Sequence, residues 1–225
     1  MKPMPFICAI TMAALLPALA SADIVAGWEV TGIDLDDNYS APYTIGADTT
    51  ATHVLSAEIS LPYSVVRSTS TNKYGFKISG GSEQTTLGGA ITAGHYIEVT
   101  MTAVDLYGFN LSSLEINGEA TGDGCNDLAV LSSVDGFSSD KVIASVTGVA
   151  GATGGWDTDA SGFGAPIALS DSKYTELEDV TFRFYGWNSS SGTGSTRIRS
   201  LLGYDIVFNG TVEKIPRRGA IMIIR

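Results

Sequence analysis

Histidine, cysteine and basic residues are scarce in this 225-residue sequence, and each shortage narrows the chemistry that it can support. There are two histidines and two cysteines, and 13 basic residues stand against 24 acidic ones, which gives a formal net charge of −11. Because this acidic surplus repels phosphate backbones, we predict no nucleic-acid partner. The lack of cysteine and histidine ligands disfavours a zinc site. Neither His53 nor His95 lies in a recognisable catalytic motif, so both are predicted to be surface or strand-end residues. The sequence also contains no Gly-x-Ser-x-Gly nucleophile elbow.

Long apolar runs are also lacking after the first 22 residues. The apolar stretch over residues 5–19 follows Lys2 and precedes Ala20-Ser21-Ala22, which is the arrangement of a cleavable secretory signal. It is shorter than the roughly 20 residues that a membrane-spanning helix needs. We therefore predict a signal peptide over residues 1–22, cleavage before Asp23, export from the cell, and no transmembrane anchor in the mature chain.

Cleavage would remove Cys8 and leave Cys125 as the single cysteine, so the mature chain can form no intramolecular disulfide. Asp123 and Asp127 flank this residue, and acidic neighbours disfavour a reactive thiolate. We predict that Cys125 is an unreactive structural thiol.

No amphipathic helix pattern follows the signal peptide, and apolar and polar residues alternate with a period of two instead. Ile97, Val99 and Met101 alternate with polar residues in the run 96–102, as expected for a strand with one buried face. The runs 180–185 and 198–208 show the same alternation and are predicted to be neighbouring core strands. Shorter strand candidates cover residues 24–31, 53–61, 73–79, 111–117, 128–134 and 141–147.

Gly, Asn, Asp and Ser clusters separate these short strands, which predicts an all-β fold, an antiparallel β-sandwich of jelly-roll-like form. Residues 23–212 are predicted to form a single β-sandwich domain and residues 213–225 an irregular C-terminal tail. Residues 148–164 and 188–196 contain few large apolar side chains and are predicted to be long surface loops.

Trp28 and Trp187 lie in strand-like segments and are predicted to be core or edge packing. Trp156, in contrast, is a lone tryptophan in the first of these loops, close to Asp157 and Asp159. Aromatic faces stack on sugar rings, and nearby polar groups bind the hydroxyls. These three residues are therefore our candidate ligand-binding residues, with extracellular polysaccharide as the candidate partner. The alternative is that Trp156 clamps the loop onto the sandwich.

Oxygen-rich loops make Ca²⁺ the candidate cofactor, because hard cations prefer carboxylate and carbonyl ligands. The spacing does not match the EF-hand loop, and aspartates in turns also stabilise the turn by local hydrogen bonds, which is the alternative explanation. The candidate calcium ligands, beside Asn38 and Asn126, are Asp34, Asp36, Asp37, Asp123 and Asp127.

Several strand segments resemble a group of bacterial exported jelly-roll proteins that end in a PEP-CTERM sorting signal. The resemblance implies a bacterial cell-surface or extracellular location and no particular activity. The chain departs from the group at its C-terminus, where residues 217–225 contain no apolar helix long enough to span a bilayer. The segments that carry the resemblance are 111–116 (LSSLEI), 132–137 (SSVDGF), 180–187 (VTFRFYGW) and 192–202.

Two functional hypotheses remain open from the sequence. The first is a secreted or cell-surface noncatalytic protein of the extracellular matrix that contacts polysaccharide. The second is an exported polysaccharide-active hydrolase or lyase, which would need a pair of carboxylates across a cleft. The strand carboxylates that offer such a pair are Glu58, Glu98, Glu115 and Asp135.

Overall fold

The described residues of this chain form β-strands, with one short α-helix between them. The predicted signal peptide lies outside them. The computed structural model describes residues 23–30, 43–61, 77–79, 84–94, 96–151, 157–158, 162–190, 195–198 and 203–216. The elements are β1 (Asp23–Trp28), β2 (Tyr43–Gly46), β3 (Thr49–Thr50), β4 (Val54–Leu61), β5 (Lys77–Ser79), α1 (Leu87–Ala93), β6 (Tyr96–Ala103), β7 (Tyr107–Ile116), β8 (Gly118–Ala120), β9 (Cys125–Ser132), β10 (Ala144–Thr147), β11 (Ile167–Ala168), β12 (Asp179–Ser189), β13 (Ser195–Ile198) and β14 (Ile206–Lys214).

These strands pair antiparallel in three sheets. A five-stranded sheet has the order β11-β7-β14-β1-β3, and a six-stranded sheet has the order β10-β9-β12-β6-β4-β2. A small third sheet, β5-β13-β8, includes two residues of the predicted 188–196 loop, and one of them, Thr196, is fully buried.

The alternation read from the sequence is confirmed in the six-stranded sheet. Ile97, Val99 and Met101 of β6 are fully buried, whereas Glu98 and Thr100 between them are partly exposed. β12 repeats this pattern through its first six residues. Each strand therefore contributes one apolar face to the core and turns its polar side chains outward.

The five- and six-stranded sheets pack face to face around one aromatic core. Phe182 of β12 and Phe208 of β14 have ring centroids 4.7 Å apart, and Trp28 of β1 lies edge-on to Phe208 at 6.2 Å. All three side chains are fully buried, and each large apolar side chain contributes about 1.5–3 kcal/mol on burial. The predicted all-β antiparallel sandwich is confirmed, and its jelly-roll-like connectivity stays a prediction.

The predicted pairing of the runs 180–185 and 198–208 was wrong. β12 and β14 lie in opposite sheets and meet across the core, and the second run is divided between β13 and β14. β14 begins directly after Asp205, whose buried carboxylate accepts a hydrogen bond from Val30 N at 2.6 Å. Alternation shows that a strand has one buried face, but it does not distinguish a paired neighbour from a facing strand.

A bulge fixes the register between β7 and β14. Asn209 is opposite Ser113 but Gly210 is opposite Leu111, so Ser112 is the extra residue. Gly210 has a φ of 153°, and a Cβ placed there would overlap the backbone oxygen of Asn110, so glycine is required. β14 then continues to Lys214, two residues into the segment predicted to be irregular.

Helix α1 was not predicted. It has seven residues with two glycines, LGGAITA, which is too short for a helical period to appear. Thr86 caps its start by accepting a hydrogen bond from Gly89 N at 3.1 Å, and Gly94 ends it in the left-handed conformation. Its buried residue, Ala90, faces the outside of the six-stranded sheet and packs with Tyr185.

Candidate functional site

The candidate site lies on the outer face of the six-stranded sheet, and β12 sets its position. Phe182 and Phe184 point into the core, so Arg183, Tyr185 and Trp187 point outward. Gly186 allows β12 to approach its neighbour β9, since a Cβ there would lie 2.7 Å from the Cys125 sulfur. We call this outer surface, with Tyr96, the aromatic face.

Burial of Cys125 agrees with an unreactive structural thiol. The residue is 1% exposed within β9, and its backbone N donates to Thr196 Oγ1 at 2.6 Å. Thr196 belongs to β13, so this contact joins the six-stranded sheet to the small third sheet.

Arg183 organises the centre of the aromatic face. Its guanidinium lies 4.2 Å from the ring centroid of Tyr96 and 3.9 Å from that of Phe137, and its Nε donates to Glu98 Oε2 at 2.7 Å. Cation–π contacts and an ion pair therefore hold the same side chain. Glu98 is neutralised by this contact, which leaves the centre of the face as a packed and charge-balanced surface.

Helix α1 covers the part of the aromatic face next to this centre. Ala90 packs there with Tyr185, Ala129 and Leu131, and all four are buried. The segment that leads into the helix is fixed to the end of β12, because Asn188 N donates to Gln84 O at 2.6 Å. Trp187 lies at the border of this cover and remains partly exposed.

Three outward residues form a row across adjacent strands at this border. Thr147 of β10 is opposite Asp127 of β9, and Asp127 is opposite Trp187 of β12. Strands lie about 4.8 Å apart, so the row presents a hydroxyl, a carboxylate and an indole at regular short intervals. Asn188 extends it, with its Nδ2 donating to Asp127 Oδ2 at 2.9 Å. We call Thr147, Asp127, Trp187 and Asn188 the Trp187 platform.

Further hydrogen bonds fix the end of β12 beside the platform. Ser189 Oγ donates to the backbone oxygen of Asp123 at 2.9 Å, and Ser190 Oγ donates to its carboxylate at 3.3 Å. Asn188 has a φ of 58° within β12, a left-handed conformation that asparagine adopts more readily than most residues. The platform therefore rests on strand backbone whose position is fixed by several contacts.

The structure places two of the predicted calcium ligands near each other, since Asp123 and Asp127 bind side chains of the consecutive segment 188–190. Over the described ranges, no group of three or more His, Cys, Asp or Glu side chains has a metal-binding arrangement. The other three candidate ligands, Asp34, Asp36 and Asp37, lie outside the described residues. Calcium binding stays a prediction.

The candidate ligand-binding residues of the 148–164 loop are only partly described. Trp156 and Asp159 lie outside the described residues. Asp157 Oδ1 accepts a hydrogen bond from Gly118 N at 2.8 Å, and the adjacent Thr158 N donates to Ile116 O at 2.9 Å. Asp157 thus helps to hold this segment against the end of β7.

The four strand carboxylates considered for catalysis do not lie together on one face. Glu98 is on the aromatic face, whereas Glu115 faces outward from the five-stranded sheet and accepts from Asn209 Nδ2 at 2.7 Å. Asp135 binds Lys173 Nζ at 2.7 Å, and this hydrogen bond raises the pKa of Lys173. Glu58 lies on the same face as Glu98, one strand away, and is exposed.

The histidines were predicted to be surface or strand-end residues. His53 is exposed in the turn before β4, has a φ of 71°, and stacks on Tyr107 with ring centroids 3.7 Å apart. His95 lies outside the described residues. The position of His53 confirms that expectation.

Sequence reasoning missed Trp187 and Arg183 as functional candidates. Trp187 is predicted to be core or edge packing because it lies in a strand-like segment. The alternation predicts that both residues point outward, since a strand that buries Phe182 and Phe184 turns its odd-numbered residues outward. A partly exposed tryptophan at such a position is a better candidate for a functional residue than its buried apolar neighbours.

No family model, curated protein or solved structure matches this chain. Among the residues that the structure describes, no helix is long and apolar enough to cross a membrane.

Proposed function

We propose that this protein is an exported, noncatalytic module of a bacterial cell surface or extracellular matrix that binds polysaccharide at the Trp187 platform. The observation that carries the proposal is a partly exposed Trp187 in a cross-strand row with Asp127 and Thr147. An indole offers a flat apolar surface for a sugar ring, and the flanking carboxylate and hydroxyl can bind sugar hydroxyls.

The rigidity of the platform supports binding. Asp127 and Trp187 are paired residues within a sheet, and Asn188 joins them through its bond to Asp127. Groups held on strands keep their geometry better than groups on loops, so less conformational entropy is lost on binding.

The contacts of the acidic side chains favour a noncatalytic protein. Glu98 is bound to Arg183 and Asp135 to Lys173, while Glu115 is on the opposite outer face of the sandwich. A glycosidase needs one carboxyl group as acid and another as base or nucleophile on the two sides of the same bond. Export is the part of the proposal that rests on the sequence of residues 1–22.

The test is a binding and degradation screen of the purified chain with neutral, anionic and amino-group-bearing polysaccharides. We expect saturable binding without release of oligosaccharides, and a loss of affinity of about 5- to 160-fold in Trp187→Ala, since stacking contributes roughly 1–3 kcal/mol. Leu55→Ala is the matched control, because Leu55 is an apolar side chain of the same sheet that is 68% exposed outside the platform.

Trp187→Phe keeps part of the stacking surface and is the control for a folding defect in the alanine variant. Its affinity should lie between those of the wild type and Trp187→Ala, at an unchanged melting temperature. A blank screen, or equal affinity in the wild type and both Trp187 variants, would reject the proposal. Release of oligosaccharides would identify an enzyme instead.

A further inference from the structure

We infer that the Trp187 platform selects polysaccharides that carry free, protonated amino groups. This inference rests on the proposed function and names its ligand class. The chemistry that carries it is the pairing of an indole with a carboxylate, Trp187 opposite Asp127, on neighbouring strands.

Among the described residues, the hydrogen bond to the platform carboxylate comes from a neutral group. Asp127 accepts from the side-chain amide of Asn188, and the nearby Asp123 accepts from the hydroxyl of Ser190. In contrast, other carboxylates of the described chain are neutralised by cations, in the pairs Glu98–Arg183, Glu119–Arg197 and Asp135–Lys173. Asp127 therefore has no cationic partner among the described residues and lies next to the indole.

An ammonium group gains from both members of this pair. It is attracted to the electron-rich face of an indole and to a carboxylate, and a Cβ–Cβ separation of about 4.5–5.5 Å lets one sugar residue reach both. The formal net charge of −11 adds a long-range attraction for polycations and repels polyuronates.

A neutral sugar ligand lacks the electrostatic attraction to the Asp127 carboxylate. An N-acetylated sugar can stack on Trp187 and form a hydrogen bond with Asp127, but it brings no charge to the carboxylate. The platform should therefore bind two polymers with different affinities when they share a backbone and differ only in acetylation of the amino group.

The test compares chitosan oligosaccharides with fully N-acetylated chitin oligosaccharides of equal length, using the full chain and isothermal titration. We expect the free-amine oligomer to bind about tenfold more tightly, in keeping with one additional charge contact. Raising the salt concentration should weaken its binding more than that of the acetylated oligomer. Alginate, an anionic polymer, should not compete.

Asp127→Asn tests the carboxylate directly, because it removes the charge and keeps an acceptor for Asn188. We expect it to abolish the preference for the free amine and to leave binding of the acetylated oligomer within about twofold. Asp140→Asn is the matched control, since it changes the net charge equally at an exposed position in the β9–β10 connection, at the opposite end of these two strands from Asp127.

The outcomes separate this inference from the proposed function. Equal affinity for both oligomers, unaffected by Asp127→Asn but reduced in Trp187→Ala, would overturn the amine selectivity and preserve polysaccharide binding. Binding of neither oligomer nor any other polysaccharide would overturn both.

Discussion

The two outer faces of the sandwich are covered in different ways. On the five-stranded sheet, Asn209 donates hydrogen bonds to Glu115 at 2.7 Å and to Ser113 at 3.2 Å, and we call these three residues the polar face. On the six-stranded sheet, Arg183 and helix α1 cover an aromatic surface instead. The polar face satisfies its polar groups with its own side chains, whereas the aromatic face is left with a partly exposed indole at its border.

The difference shows where recognition is favoured. Polar side chains whose hydrogen bonds are satisfied within the protein gain little from a ligand, because any new bond replaces an existing one. A partly exposed aromatic ring can still bury apolar area against a ligand. The following substitutions test how strongly each face depends on the contacts assigned to it.

The largest effect is expected for Gly210→Ala in the bulge beneath the polar face. A Cβ at this position would overlap the backbone oxygen of Asn110, so β7 and β14 must separate. We expect a loss of about 3 kcal/mol or more in the free energy of unfolding, measured by chemical denaturation. Gly46→Ala in β2 is the control, since no atom lies within 4 Å of its Cβ position. Equal stability of the two variants would show that the bulge is not needed.

The second effect is at the centre of the aromatic face. Arg183→Ala removes two cation–π contacts and the ion pair with Glu98, and we expect a loss of about 1–3 kcal/mol in unfolding free energy. Arg183→Lys should recover only part of this loss, because a lysine lacks the planar group that lies over both rings. If the lysine variant is as stable as the wild type, the ion pair with Glu98 alone accounts for the stabilisation by Arg183.

A smaller effect is expected on the polar face. Asn209→Ala removes the donor to Glu115 and Ser113, and water can replace part of it, so the loss should be about 1 kcal/mol. Thr211→Ala is the control on the same strand, because its side chain is exposed. If both variants unfold at the same denaturant concentration, the polar network does not stabilise this face.

The smallest effect is expected at the start of helix α1. Thr86→Ala removes the acceptor for Gly89 N and should cost about 0.5–1 kcal/mol, while Thr86→Ser should retain the cap. The loss should appear as faster amide exchange within α1 and leave the polar face unchanged. Equal exchange in the alanine and serine variants would indicate that packing of Ala90 holds the helix without the cap.

Much of the fold could be predicted from the sequence because alternation is a local signal. The buried faces of β6 and β12 follow from residues two positions apart, and the resulting all-β sandwich needs no knowledge of strand order. Helix α1 was missed because its stability depends on a cap and on packing against Tyr185, neither of which gives a seven-residue segment a helical period.

The candidate site was predictable only in part. Asp127 and Asp123 were identified from their oxygen-rich loop as candidate calcium ligands, and the sequence did not predict the proposed sugar contact of Asp127. Trp187 was assigned to packing, since the sequence shows that it follows an apolar strand and does not show how far α1 extends over that strand.

By itself the sequence determined the alternation of its strands, the acidic charge and the scarcity of histidine and cysteine, because these properties depend on composition and on near neighbours. The tertiary structure alone decided that β12 and β14 face each other and that Thr147, Asp127 and Trp187 stand in one row. The physical reason is that register and sheet order depend on contacts between residues far apart in the chain, such as the glycine-dependent bulge at Gly210.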